Sequence, residues 1–407
     1  MNKTIWIINE YAGSKYHGME FRHYYLGKEL VKRGYKVYII TASYSHLFKK
    51  LPEEKGVFTF EHIDGIHYIW IRVPRYGHAH NKRRVLKWLA LTLRLYKLPV
   101  HKMKEPHALI LSPMAPFPIL PAYKLAKRFN AKLIYEVKDI WPLTLIELGG
   151  YSKLHPLIAL MQWCEDSAYR KADYVVSVLP RAIDHMKQHG LKPERFVYIP
   201  NGICLEEISA VQPLDAQTGN KIPKDKFVVG YAGTIGFANA LEYLVDAAEL
   251  LKEHKDIVFV IVGEGMEKEK LTNSVERKGL KNVTFIDAVP KNQVQNVLKK
   301  FEVCYIGWRK SSLYKYGISA NKIFDYAYAA KPIVHSYSGS GDIINEANCG
   351  ISVEYENSKT IADAIMKLYD MSPEERKQLG ENGKKYVLEN HSYESLADKY
   401  EMIVNGN

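Results

Sequence analysis

Cysteine is scarce in this chain, and that scarcity excludes a disulfide framework. Cys164, Cys204, Cys304 and Cys349 stand far apart with no C-x-x-C spacing, which points to four thiols in a reducing, cytoplasmic compartment. Long apolar runs are missing too. Nothing approaches the ~20 residues needed to span a bilayer. The opening stretch MNKTIWIINEYAG is interrupted by Asn9 and Glu10 with no small-residue cleavage site behind it, so no signal peptide is expected. The absence of a G-x-G-x-x-G or P-loop motif argues against a dehydrogenase or an NTPase. No D-x-D triplet occurs either, so no metal is expected to bridge a nucleotide diphosphate and no cofactor is implied; side-chain cations must hold any such group.

Acidic residues are missing from one long stretch. Between Asp64 and Glu105 there is none, while Arg72, Arg75, Lys82, Arg83, Arg84, Lys87, Arg94, Lys97, Lys102 and Lys104 all fall there. Wound at about 100° per residue, residues 83–98 gather Arg83, Arg84, Lys87, Arg94 and Lys97 on one side, with Leu86, Trp88, Leu89, Leu93, Leu95 and Tyr96 on the rest. Such a basic amphipathic helix suits an anionic membrane surface, where each base contributes on the order of 1 kcal/mol. Arg83, Arg84, Lys87, Trp88 and Arg94 are its expected contacts, and the inner face of the plasma membrane the expected place. The same pattern also describes a domain helix with its apolar side on a core and a solvated basic side. No helix-turn-helix, zinc-finger or RNP pattern accompanies the charge, so nucleic acid is not an expected partner.

What is present reads as an ordinary globular chain. Its 407 residues, 47% hydrophobic and 25% charged with a net charge of +12, suit two domains of roughly 200 residues. Strand-like runs alternate with helical ones almost throughout: KTIWIIN, YKVYIIT, HALILS, AKLIYEV, ADYVVSV and RFVYIP in the first half, KFVVGYAG, DIVFVIVG, NVTFID, EVCYIGW, KPIVHS and CGISVEY in the second. Alternation of this kind predicts an α/β fold with two doubly wound, Rossmann-like domains, facing across a cleft. The expected division is 1–204 for the first domain, 205–226 for a linker, 227–385 for the second, and 386–407 for a terminal helix able to pack back on the first.

In open parallel sheets, ligands bind beyond the carboxyl ends of the strands. Several loops there share one character: EYAGSKYHGMEF with Gly13 and Gly18, TIGFANAL following Gly233 with Thr234 and Gly236, EGME, and RKSSLYKYGISANK. Small residues let backbone N–H groups approach a phosphate, and helix N-termini add partial positive charge. Arg309, Lys310, Lys315 and Lys322 supply cations. Lys322 and Asp325, three apart at a helix start, share a face, where they can hold a phosphate and a ribose hydroxyl, or form a solvated ion pair. Together these loops imply a diphosphate held between two domains.

GMEFRHYYLGKELVKRGYKVYIIT, YEVKDIWP, IPNGI, VGYAGTIG, IVGEG and SANKIFDYAYAAKPIV resemble the two-Rossmann-domain (GT-B) nucleotide-sugar transferases of glycosyltransferase family four. The likeness is strongest to bacterial surface-polysaccharide and O-antigen enzymes, including those of amino-sugar and fucosamine transfer. It covers nearly the whole chain. It implies retaining transfer of a sugar from a nucleoside-diphosphate donor to a lipid-linked or oligosaccharide acceptor. By the same resemblance Asp325 meets the donor ribose, Lys322 the diphosphate, Gly18 the donor phosphate, and Glu264 lies near the nucleotide. The chain departs from the family at Gly317, where a Glu is usual, and at Phe237 and Ala238, where basic residues often stand.

EVKDIWP offers Lys138 for donor phosphate or sugar and Asp139 to orient the acceptor hydroxyl, or to act as base if transfer inverts. The other readings open at this stage are a non-catalytic nucleotide-sugar or glycan binding module and a sugar-nucleotide 2-epimerase of the same architecture.

Overall fold

The computed structural model describes residues 3–18, 20–77 and 83–406; Lys82 of the basic stretch lies outside them. The chain divides into two compact units, one formed by Met1–Pro200 with Tyr393–Asn407, the other by Asn201–Ser392.

The first unit is built on an eight-stranded sheet in the order β3-β4-β2-β1-β5-β6-β7-β8. Its strands are β1 (Thr4–Ile8), β2 (Lys36–Ala42), β3 (Phe58–Ile63), β4 (Ile66–Ile71), β5 (Ala108–Leu111), β6 (Lys132–Val137), β7 (Tyr174–Ser177) and β8 (Phe196–Tyr198). All neighbours run parallel except β3 and β4. That antiparallel hairpin was not among the expected strands. It turns on Asp64 and Gly65, both at positive φ, the Asp-Gly chemistry of a two-residue hairpin loop.

The second unit carries a six-stranded, all-parallel sheet, β11-β10-β9-β12-β13-β14. The strands are β9 (Phe227–Ala232), β10 (Ile257–Val262), β11 (Val283–Ile286), β12 (Val303–Gly307), β13 (Ile333–Ser336) and β14 (Gly350–Val353). Apolar clusters cover both of its faces, which is why its strands read as nearly continuous Val, Ile and Phe. At Gly230, mid-β9, an added Cβ would fall 2.0 Å from the Phe301 ring; the glycine is what lets that ring fill the core.

The expected domain limits need correction. Residues 205–226 are not a free linker: they carry helices Leu205–Ser209 and Ala216–Asn220, and Ile222 within them, like Ile203 just before, is buried in the second unit's core. That unit also runs past 385. Helix Pro373–Asn390 lies on helix Asn321–Tyr328, so closely that a Cβ on Gly380 would sit 2.0 Å from the Ala330 carbonyl oxygen. The last helix, Tyr393–Asn405, starts later than 386 and packs on helix Arg22–Lys32 of the first unit.

The basic helix forms at Arg83–Leu95, but its faces are turned relative to the expectation. Lys87 is fully buried and Trp88 nearly so. Lys87 Nζ donates to the Glu10 carbonyl at 3.0 Å and lies 3.6 Å from the centre of the Tyr11 ring. Arg84 donates to the Tyr11 hydroxyl at 2.7 Å, and Arg94 is half-buried. Lys87 and Trp88 therefore cannot meet a membrane: the lysine is drawn inward to a carbonyl and an aromatic face of the loop after β1, and its burial, outweighing the nearby Glu10 charge, lowers its pKa to about 7. Leu86 (54% exposed), Leu89, Leu93 (66%) and Tyr96 face outward instead.

Candidate functional site

In the second sheet the strand order reverses beside β9, between β9 and β12, the topological switch point at which doubly wound sheets bind ligands. The two strands pair only at Val229–Val303 and Gly230–Cys304. Beyond that the Tyr326 hydroxyl takes over, accepting from the Ala232 N–H at 2.7 Å and donating to the Ala232 carbonyl at 2.9 Å. This fastens the helix Asn321–Tyr328 to the end of β9 and sets Lys322, one turn earlier, over the loop that follows. The helix begins without a side-chain cap, its N-cap being Ala320, so its first N–H groups are available to an anion. Asn201 holds the approach to it, its backbone N–H donating to Ser319 Oγ at 2.9 Å and its amide to the Ser319 carbonyl at 2.8 Å.

Lys322 sits in a small polar cage with aromatic walls. Its ammonium donates to the Tyr231 hydroxyl at 2.8 Å and to Asn239 Oδ1, and lies 4.8 and 5.8 Å from the Tyr231 and Trp308 ring centres. Tyr231 and Asn239 each donate onward to the Thr234 carbonyl, at 2.6 and 2.9 Å, so the loop's own backbone closes the network. Trp308 is fixed by donating to His335, whose other ring nitrogen meets Asp342. Among the described residues, two of the three ammonium hydrogens are thus engaged and one remains. Burial lowers the Lys322 pKa to about 8, which leaves it charged at neutral pH. A Cβ on Gly233 would lie 2.7 Å from Lys322 Cδ; here the glycine makes room for the lysine stem. Gly233, Thr234 and Lys322 are therefore brought together. Tyr231, Asn239 and Trp308 were not foreseen, because a buried strand tyrosine and a turn asparagine carry no signal of their own.

Asp325 is half-buried on the same helix. Burial pushes its carboxyl up to about 6, and among the described residues no hydrogen bond reaches its carboxylate. Other expected donor residues are otherwise occupied. Arg309 is bonded to Glu242, lies 3.7 Å from Glu356 and stacks 4.1 Å from the Phe237 ring centre, so its charge is met within the loops. The Glu264 carboxylate accepts from Lys268 at 2.6 Å, while its backbone carbonyl receives the Ile235 N–H at 2.8 Å and zips the 263–265 turn onto the 233–235 turn. Lys310 is exposed, its ammonium near Tyr355.

In the first unit the switch point lies between β1 and β5. There Glu10, missed in the sequence, caps the loop after β5: its carboxylate accepts from the Met114 and Ala115 N–H groups at 2.8 and 3.3 Å. Gly18 has φ +116°, and a Cβ on it would meet the backbone of Leu47 and Lys49 at 2.9 Å; close packing of two loops explains that glycine. Glu136 is wholly buried, bonded to Arg22, His23 (2.9 Å), Ser112 (2.7 Å) and Tyr400. Burial works against its charge, but Arg22 and His23 outweigh that and hold its carboxyl well below the usual range. It is a structural hub tying β6 to the first and last helices of this unit. Lys138, two residues on, donates to Glu20 at 2.6 Å. Burial opposes its charge, yet Glu20 and Glu136 together keep its pKa above the ordinary value. Asp139 beside it is exposed, and among the described residues no hydrogen bond reaches its carboxylate.

Two parallel-dominant sheets, each with glycine-bearing loops at its switch point, define the α/β class of the GT-B transferases. Residues 17–202 match the family model "Glycosyl transferase 4-like domain", and residues 215–386 match "Glycosyl transferases group 1"; the chain is a glycosyltransferase carrying these two domains. It is 26% identical over 292 residues to alpha-D-kanosaminyltransferase of Streptomyces kanamyceticus, covering 67% of this chain and 72% of that one. To the putative colanic acid biosynthesis glycosyl transferase WcaI of Escherichia coli K12 it is 23% identical, covering 64% and 67%. Its fold is similar to that of HepE from Anabaena, solved in complex with UDP, with a TM-score of 0.68 over 100% of both chains at 13% identity. No helix among the described residues is long and apolar enough to cross a membrane.

Proposed function

We propose that this glycosyltransferase moves a hexose or amino sugar from a nucleoside-diphosphate sugar to a lipid-linked saccharide in surface-polysaccharide assembly, with retention of configuration. The observation that carries the reading is Lys322, a charged lysine with one unused donor, set over the Gly233–Thr234 loop at an uncapped helix N-terminus. In this reading its ammonium and the first N–H groups of the 321–328 helix hold the leaving diphosphate, where charge develops as the glycosidic bond breaks. Asp325 accepts from the ribose. Lys310 provides outer positive charge. Lys138, held by Glu20, supports the loop from which Asp139 orients the acceptor hydroxyl. The UDP complex of HepE supports a nucleotide donor; the kanosaminyl- and colanic-acid-transferase relatives support amino-sugar or polysaccharide chemistry.

The membrane part of the reading rests on the outward stripe Leu86, Leu89 and Leu93, at i, i+3 and i+7 of one helix, with Tyr96 just past its end. Exposed Arg83 and Lys97 flank it, in a stretch without acidic residues. An apolar stripe with basic ends seats at an anionic headgroup boundary.

Labelled sugar nucleotides mixed with a lipid-diphosphate saccharide test the proposal. Product is expected only when donor and acceptor are both present, and its anomeric proton coupling should match the donor's. Conversion of the donor sugar without acceptor would replace this reading with epimerisation, and nucleotide binding without turnover would replace it with a binding module.

A further inference from the structure

Helix Pro156–Lys171 presents Gln162, Glu165, Asp166 and Tyr169 along one face, at i, i+3, i+4 and i+7. Opposite it, helix Ile183–Met186 continues into the 3-10 turn Lys187–His189 and places His185 and His189, four residues apart, with ring centres 4.3 Å from each other. Glu165 is fully buried and His185 nearly so. Glu165 Oε2 lies 3.5 Å from His185 Nε2, and Asp166 Oδ1 lies 3.0 Å from His189 Nδ1. The ligand atoms of Glu165, His185 and His189 all fall within 4.8 Å of one another.

One atom stands where these groups converge. Gln162 Nε2 is 2.7 Å from Glu165 Oε2, 2.8 Å from Asp166 Oδ1 and 2.9 Å from His189 Nδ1, so three acceptor positions compete for the two hydrogens of a carboxamide. Among the described residues neither carboxylate is bonded or ion-paired to a lysine or arginine. Two carboxylates, one of them wholly buried, therefore face imidazoles and a neutral amide, an arrangement whose charge calls for a cation at that point. Ligand atoms around a tetrahedral zinc ion at 2.0–2.1 Å are about 3.4 Å apart; the 3.0 and 3.5 Å pairs bracket that edge. Two imidazole donors select a transition cation over magnesium or calcium, which take oxygen. Tyr169 donates to the other Glu165 oxygen at 2.6 Å and orients the carboxylate as outer partners of metal ligands do.

We propose that a divalent transition cation, best matched by zinc, displaces the Gln162 amide, binds Glu165, His185 and His189 with Asp166 as the nearest fourth ligand, and clamps the 156–171 helix to the 183–189 turn. With the buried Glu165 and His185 among its ligands the site is structural, and it stands independently of the donor-site reading.

The test is titration of the chelator-stripped full chain with zinc chloride by calorimetry and thermal melting, and with cobalt(II) by visible absorption. One equivalent should bind, raise the melting temperature by about 5 °C, and give the intense absorption of tetrahedral cobalt. His189→Ala, at a partly exposed position, should weaken zinc about 100-fold or more and abolish the cobalt band. Asp166→Asn, nearly isosteric, should weaken zinc as well, and Gln162→Leu should bind at least as tightly as the parent because the competing donor is gone. No binding by the parent, equal affinity in the His189 and Asp166 variants, or preference for magnesium over zinc would each overturn the site.

Discussion

Lys322→Met separates the roles of one charge. The ordinary lysine pKa of 10.5 falls to about 8 in the folded chain because the ammonium is buried. The folded state therefore binds this proton less tightly than the unfolded state, and stability from this group rises with pH between about 8 and 10.5. At neutral pH the charged lysine costs the fold at most about 3 kcal/mol. Methionine keeps the stem between Tyr231 and Trp308 and removes that cost, so the melting temperature should rise by a few degrees, less whatever is lost at the Tyr231 and Asn239 contacts. Nucleotide binding should move the other way. Loss of a charge-assisted contact to phosphate, about 2–3 kcal/mol, weakens UDP or the preferred diphosphate some 30- to 150-fold. The parent's Kd should also climb about tenfold from pH 7 to pH 9 as Lys322 loses its proton, and the variant should lack that rise. Calorimetric titration at several pH values reads both effects. An unchanged Kd, or the same rise with pH in Lys322→Met, would place the diphosphate elsewhere.

Asp325→Ala should raise the donor Kd, and in the parent donor affinity should fall as pH drops through about 6, where this carboxyl takes up a proton; a flat profile would remove it from the ribose. Glu136→Gln should destabilise the chain by about 3–5 kcal/mol by leaving Arg22 buried beside a neutral group. Because the folded pKa of Glu136 is depressed, its contribution is complete above the ordinary carboxylate range and is lost as pH falls through the folded value, a slope that acid denaturation should show missing in the variant. Replacing Leu86, Leu89 and Leu93 together with Ser should release the chain from anionic liposomes at unchanged melting temperature; retention would return that helix face to plain solvent exposure. Lys87→Glu should instead unfold the first unit, since it sets a carboxylate against the Glu10 carbonyl.

The alternation of apolar β-runs with helical stretches determined the two-sheet α/β class, because strands covered on both faces read as Val/Ile runs whatever their neighbours are. That Lys322, Gly233 and Thr234 gather at one strand end was legible for a similar reason: strand-end loops and helix starts are local features. Tertiary structure decided what periodicity could not. Which side of the 83–95 helix is buried turned on Glu10 and Tyr11, some seventy residues away, which draw Lys87 inward and expose the leucines. Arg309 lost its apparent freedom to Glu242 and Glu356, and Lys322 gained a cage from Tyr231, Asn239 and Trp308. The Glu165–His185–His189 cluster likewise has only the His185/His189 spacing to show in the sequence. Such groupings depend on which side chains meet across separate elements, and a charge or a ring acquires its role only from the partners that desolvate it.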